Sequence, residues 1–216
     1  FLVFYDALGQ YDHQKWKVDV TVGGSQKGLM CPPGLSFNAI SPKALESYKK
    51  SKLTKSYFDW GQMLDNNKNG FYPYTPAVNL LYALNEAVDM LLEEGLENVF
   101  KRHKRHADAT RIAVENWGLE ILARNPIERS DSITAIMVPD GYDSDNLRKI
   151  IYDNYNMSLG TGLNKVKGKV FRIGHMGDLN DLTLAGTLSG VEMGLKKSGI
   201  PFNKGGIMAA LDFLSK

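Results

Sequence analysis

The spacing of apolar positions changes along the chain, and the change divides it in two. In the first seventy-odd residues, short apolar runs alternate with turn-forming residues. FLVF (1–4) and VDVTV (18–22) carry the β-branched and aromatic residues of strands. LSFNAIS (35–41) reads as a third strand, entered from the turn at Pro32, Pro33 and Gly34. Ser41-Pro42 then opens a short helix, with Ser41 as N-cap and Pro42 in the first helical position. Residues 61–71, GQMLDNNKNGF, read as a polar, turn-forming connection.

From Thr75 the period is that of a helix: Val78, Leu81, Leu84, Val88, Leu91 and Leu92 recur three and four apart. Gly95 interrupts it, and a second helix runs through Trp117 and is closed by Gly118. A strand over 132–138 (SITAIMV), a helix over 144–155, strand-like stretches over 157–159 and 169–173, and a final helix over 180–197 follow. Interleaved strands and helices predict an α/β fold with helices packed on one sheet. The break between domains is expected near 72–78. This gives one domain over 1–75 and a second over 76–216 that opens with the long connector helix.

Composition narrows the classes of function. The chain has 216 residues, 43% hydrophobic and 23% charged, as in ordinary globular proteins. Its 26 Lys and Arg nearly balance 24 Asp and Glu, for a net charge of +2. Nothing there favours nucleic acid or an anionic membrane as a partner. The local cluster Lys101, Arg102, Lys104 and Arg105 reads as a solvated helix face. A single cysteine, Cys31, allows no intrachain disulfide and favours a reducing, cytoplasmic compartment. No apolar run approaches the ~18 residues of a membrane span. FLVFYD has no initiator Met, basic region or cleavage site, so it reads as the inside of a strand whose upstream chain is missing, not as a signal peptide.

The chemistry-bearing stretch is VGGSQKGLM (22–30), where Lys27 follows an apolar strand among small residues. VDVTV is apolar enough to be covered on both faces. Ligands of open α/β sheets bind at the carboxyl ends of such strands. Gly23, Gly24 and Gly28 leave room for a bulky group near the backbone, and Ser25 and Gln26 supply neutral hydrogen-bonding groups. Partial burial favours the free form of a lysine amine, the form that condenses with an aldehyde.

DVTVGGSQKGLMCPPGLSF resembles the lysine segment of class V aminotransferases, most closely the serine–glyoxylate and alanine–glyoxylate branch. The resemblance continues through GFYPYTPAVNLLYALNEAVDMLLEEGLENVFKRH and GLNKVKGKVFRIGHMG. It implies the fold type I architecture, here the end of the large cofactor-binding domain followed by the small C-terminal α/β domain. The implied cofactor is pyridoxal 5'-phosphate, and the implied working unit is a homodimer. Lys27 matches the lysine that bonds to the cofactor and later moves the substrate's α-proton, and Gln26 a neighbour that contacts the cofactor. Arg172, in KVFRIG, matches the arginine that holds the substrate α-carboxylate; its planar fork suits two parallel hydrogen bonds. Tyr72 and Thr75, in FYPYTP, match residues that reach the phosphate of the neighbouring subunit's cofactor. Asp6 follows an apolar run where the family has an aspartate for the pyridine nitrogen. The stretch between it and Lys27 is shorter than the family's, and the serine three positions on is absent.

Two other features carry less. Cys31 lies four residues past Lys27 and not on a loop of its own, so it reads as a small buried hydrophobe and not a desulfurase nucleophile. His103 and His106, three apart on a helix, have cationic neighbours and no converging ligands, so no metal is expected. The reading is transamination from serine or alanine to glyoxylate, giving glycine and a 2-oxo acid, with small amino and 2-oxo acids as the only ligands besides the cofactor. The alternatives are another class V aminotransferase, of ureidoglycine or aminoethylphosphonate type, a lyase on the same scaffold, or a non-catalytic fragment. The last follows from what is missing here: the family's glycine-rich phosphate-binding turn and its ring-stacking aromatic.

Overall fold

Strand β1 (Leu2–Phe4) runs parallel to β2 (Val20–Gly24), and β2 pairs antiparallel with β3 (Ser36–Ile40). The structure, a computed structural model, describes residues 2–4 and 15–216; Asp6 lies outside them. By internal contacts the described residues form two units, 2–4 with 15–93, and 94–216. The long helix after Thr75 thus groups with the first unit, whereas the sequence pattern places the break at its start.

In the first unit, β2 begins two residues later than its apolar run. It alternates, with Thr21 and Gly23 buried and Val20 and Val22 half-buried, where burial on both faces is expected from sequence. Helix α1 (Pro42–Lys50) starts as read: the Ser41 hydroxyl accepts from Ala44 N at 3.1 Å and donates to Asp19 at 2.9 Å. The supposed connection over 61–71 is largely helix α2 (Trp60–Asn67). Its Gly and Asn residues are weak helix formers, but Asp59 caps it, accepting from the N–H groups of Gly61 at 2.8 Å and Gln62 at 3.4 Å. Tyr48 donates to the same carboxylate and so ties α2 to α1. Helix α3 (Val78–Glu94) buries Ala87 and Leu91, while Val78, Val88 and Leu92 of its expected apolar stripe are exposed.

Gly95, at φ 81°, separates α3 from α4 (Leu96–Asn116), and Gly118, at φ 74°, follows the end of α4. Both positions need the left-handed freedom of glycine. The second unit has a four-stranded antiparallel sheet in the order β4-β5-β7-β6. Its strands are β4 (Glu120–Ile121), β5 (Ile133–Met137), β6 (Gly160–Thr161) and β7 (Val170–Gly174). The sixth strand pairs at 160–161, just beyond the stretch read as strand. Helices α5 (Ser144–Tyr155), α6 (Asp181–Ser198) and α7 (Gly206–Leu214) complete the unit. The last helix expected from the sequence ends at Lys197, so α7 is a further helix that the structure adds.

Ile136, Phe171 and Ile173 of this sheet form one core with Leu147 and Ile151 of α5, Leu184, Leu188, Val191 and Leu195 of α6, and Trp117. Trp117 Nε1 donates to Glu192 at 2.7 Å, and Ile207 N donates to the same carboxylate oxygen at 3.1 Å. One half-buried carboxylate thereby ties the end of α4 and the start of α7 to α6. Among the described residues no helix is long and apolar enough to cross a membrane.

Candidate active site

Lys27 lies three residues beyond the end of β2, in a loop that Ser25 holds together. Ser25 is fully buried. Its N–H donates to Leu35 O, and its carbonyl accepts from Cys31 N, both at 3.1 Å. Its hydroxyl donates to Pro32 O at 2.7 Å and accepts from Leu35 N at 3.2 Å. Met30 N closes a turn onto Lys27 O at 3.0 Å, with Met30 itself at φ 58°, a conformation costly for a side chain. Gly34, at φ 143°, leaves room for Leu80: a Cβ there would come within 2.5 Å of Leu80 Cδ1. The loop is therefore fixed at both ends, by β2 and by the residues entering β3.

Lys27 is half-buried, and among the described residues its Nζ has no ion pair or hydrogen bond. A lysine amine on a pinned loop, with no partner among the described residues, is left available for covalent bonding to a carbonyl group. The Gln26 side chain lies against Gly24, where a Cβ would approach its Oε1 to 2.8 Å. Cys31 is buried, and burial pushes its thiol above the usual range, away from the thiolate that a nucleophile requires.

The FYPYTP loop belongs to the same unit. Asn67 Nδ2 donates to Phe71 O at 2.9 Å, and Tyr74 stacks on Tyr57 with ring centroids 4.9 Å apart. Tyr72 and Thr75 are exposed, and among the described residues neither hydroxyl has a partner. Both can donate to an anion. Hydroxyl donors of this kind, and an amine with no partner among the described residues, are groups that fit an aldehyde-bearing phosphate cofactor.

Arg172 belongs to the second unit, in the middle of β7, opposite Ala135 of β5 and Gly160 of β6. It is half-buried, and its Nε donates to Thr161 O at 2.8 Å. Neither Nη has a partner among the described residues. The Thr161 hydroxyl donates to Asp145 at 2.8 Å, and Asp145 pairs with Arg148 at 2.8 Å. These two contacts hold the Asp145 carboxyl below its usual range, the threonine hydrogen bond contributing most. Strand β6 is thus anchored to α5 beside the arginine.

Several other cationic and imidazole groups of this unit are engaged in contacts within it. Arg102, read as part of a solvated face, is turned inward: it forks onto Glu94 at 2.7 and 2.8 Å and donates to Gly177 O at 2.6 Å. Arg105 pairs with Asp181 at 2.6 Å. His103 donates through Nδ1 to Val99 O at 2.7 Å and accepts from Gly177 N at 3.0 Å, an arrangement that requires the neutral ring. His106 Nε2 lies 3.0 Å from Asp181. Burial lowers the pKa of both rings. Sequence reasoning noted Ser25 only as a polar neighbour of Lys27, and missed Gly160 and the Thr161 carbonyl beside Arg172. A backbone oxygen on an adjacent strand leaves no mark in residue spacing.

The fold is that of known aminotransferases. The crystal structure of ureidoglycine–glyoxylate aminotransferase from Bacillus subtilis superposes with a TM-score of 0.89 at 27% identity, over 97% of this chain and 55% of that one. Aminotransferase class-V matches residues 8–174, and the chain belongs to that family, whose members depend on pyridoxal phosphate. Serine–glyoxylate aminotransferase of Arabidopsis thaliana is 50% identical over 93% of this chain and 50% of its own length. The enzyme of the same name from Methylorubrum extorquens is 45% identical over 99% of this chain and 56% of its own length. The chain spans about half the length of the curated relatives it matches.

Proposed function

We propose that the protein is a pyridoxal-phosphate-dependent aminotransferase with glyoxylate as amino acceptor and serine or alanine as donor. The observation that carries this reading is Lys27, half-buried and without a partner among the described residues, on the loop pinned by Ser25 at the end of β2. The first unit then belongs to the cofactor-binding domain, and the second is the small domain that supplies Arg172. The names of several relatives support the acceptor more strongly than the donor: glyoxylate recurs in them, while the donor is serine, aspartate, alanine or ureidoglycine.

Bound at Lys27, the cofactor supplies an aldehyde that takes up the donor's amino group and a ring that accepts electrons when the Cα–H bond breaks. Arg172 holds the substrate carboxylate through the nitrogens it has free. The Lys27 amine would accept the proton from the substrate Cα and deliver it to the cofactor's C4′ atom. Gln26 would orient the cofactor bound at Lys27, and Tyr72 and Thr75 would donate to phosphate oxygens of the cofactor in the neighbouring subunit. With glyoxylate the same residues act in reverse order, and glycine leaves. Small amino and 2-oxo acids are the substrates, a homodimer is the working assembly, and a reducing cytoplasm suits the single free thiol of Cys31.

The test is borohydride reduction of the holoenzyme followed by peptide mass analysis. The cofactor's mass is expected on the peptide containing Lys27, and its recovery on any other lysine overturns the assignment.

A further inference from the structure

Gly160 is a glycine that its own backbone does not require. It lies in β6 with φ outside the left-handed region, a conformation open to any residue. A glycine in a strand weakens it, through chain entropy and the absence of a side chain to pack. Its neighbour Gly162 has a backbone reason, since a Cβ there would stand 2.1 Å from the Val166 carbonyl oxygen. At Gly160 the three nearest atoms to such a Cβ all belong to one side chain: Arg172 Cβ and Nε at 3.1 Å and Cζ at 3.5 Å. The cross-strand register puts the two residues directly opposite each other.

We infer that Gly160 is a positioning residue for Arg172: the bare strand lets the guanidinium lie flat across β6 and present Nη1 and Nη2 end-on to the substrate carboxylate. This rests on the proposed role of Arg172 as the carboxylate clamp. A guanidinium has five N–H donors. The one on Nε is taken by the Thr161 carbonyl at 2.8 Å, which leaves the Nη pair as the available fork. The carbonyl is itself steadied, because the Thr161 hydroxyl is tied to Asp145 on α5. A Cβ at 160 would require the Arg172 side chain to give by a few tenths of an ångström, which moves Nε against the Thr161 carbonyl and turns the fork, while leaving the charge in place.

The experiment compares holoenzyme of the wild type, Gly160→Ala, Gly160→Val and Arg172→Lys. Five quantities are read: KM and kcat for serine, the Kd of glycerate, the reaction of 2-aminoethanol with the bound cofactor, and the melting temperature. Glycerate carries the carboxylate without the amine, and 2-aminoethanol the amine without the carboxylate. Gly160→Ala is expected to raise serine KM and glycerate Kd by about tenfold, the size of one weakened charge-assisted contact, and Gly160→Val by more. The 2-aminoethanol reaction should hold at its wild-type value, and the melting temperature of Gly160→Ala should not fall below that of the wild type. Unchanged serine KM and glycerate Kd in Gly160→Ala overturn the inference, and that variant decides alone if Gly160→Val does not fold. Equal losses with serine and 2-aminoethanol also overturn it, by showing a general distortion of the site. Arg172→Lys separates the two levels: a loss there with intact Gly160 variants sinks only the positioning role, whereas unchanged serine kinetics in Arg172→Lys sinks the clamp itself.

Discussion

His175 shows how a single buried ring ties stability to pH. It is fully buried, with Nδ1 3.0 Å from the Asp131 carbonyl and Nε2 2.9 Å from the Thr134 hydroxyl. A carbonyl only accepts, so Nδ1 keeps the proton and Nε2 accepts from Thr134; the ring is neutral. Burial, with Arg111 and His106 adding to it, depresses its pKa to about 4. The unfolded chain takes up this proton near pH 6.5, before the folded one does. The stability contribution is therefore complete above about 6.5, falls with pH, and is gone near 4; its size is about 3 kcal/mol. Melting between pH 7.5 and 4.5 should show a steeper loss in the wild type than in His175→Gln, and parallel profiles would refute the assignment. At this scale the sequence marked Lys27 and Arg172 by residue type and neighbours. It could not show that His175 is neutral or that Gly160 serves Arg172, because both depend on residues more than ten positions away.

Among elements, those governed by local rules were read best. Helix α1 follows from Ser41-Pro42, the break between α3 and α4 from Gly95, and the end of α4 from Gly118. Helix α2 was missed because its cap, Asp59, precedes a stretch whose glycine and asparagines read as a turn; the cap and the Tyr48 contact outweigh propensity. Helices α5 and α6 meet at Gly194, where a Cβ would stand 2.3 Å from Ile151 Cγ1 and 2.7 Å from its Cδ1. Both helices are good helix-period sequences, but their closeness is a property of the pair. Gly194→Ala is expected to destabilise the protein by about 1–3 kcal/mol through overpacking, despite alanine's higher helix propensity. In an Ile151→Ala background the same change should cost less or stabilise. Denaturant unfolding of the four proteins measures the coupling, and strict additivity would show that the two side chains do not compete for the same space.

For the whole molecule, the proposed homodimer makes the strongest demand on the FYPYTP loop. If Tyr72 and Thr75 donate to the phosphate of the partner's cofactor, Tyr72→Phe with Thr75→Val should weaken cofactor retention. Each lost hydrogen bond to a charged phosphate is worth about 1.5–3 kcal/mol. Mixing this double variant with Lys27→Ala after dissociation should restore part of the activity, because a mixed dimer gathers both defects into one site and leaves the other whole. Heterodimers verified by mass and still inactive would mean that the hydroxyls act within their own subunit. The sequence by itself determined the α/β class, most element boundaries and the lysine segment, since caps, periodicity and glycine breaks act within a turn or two of chain. Only the tertiary structure decided the β4-β5-β7-β6 order and its register, the loop gathered on Ser25, the inward turn of Arg102 and the pairing of Gly160 with Arg172. Those features are set by packing and hydrogen bonds between residues distant in the chain, whose energies no local pattern records.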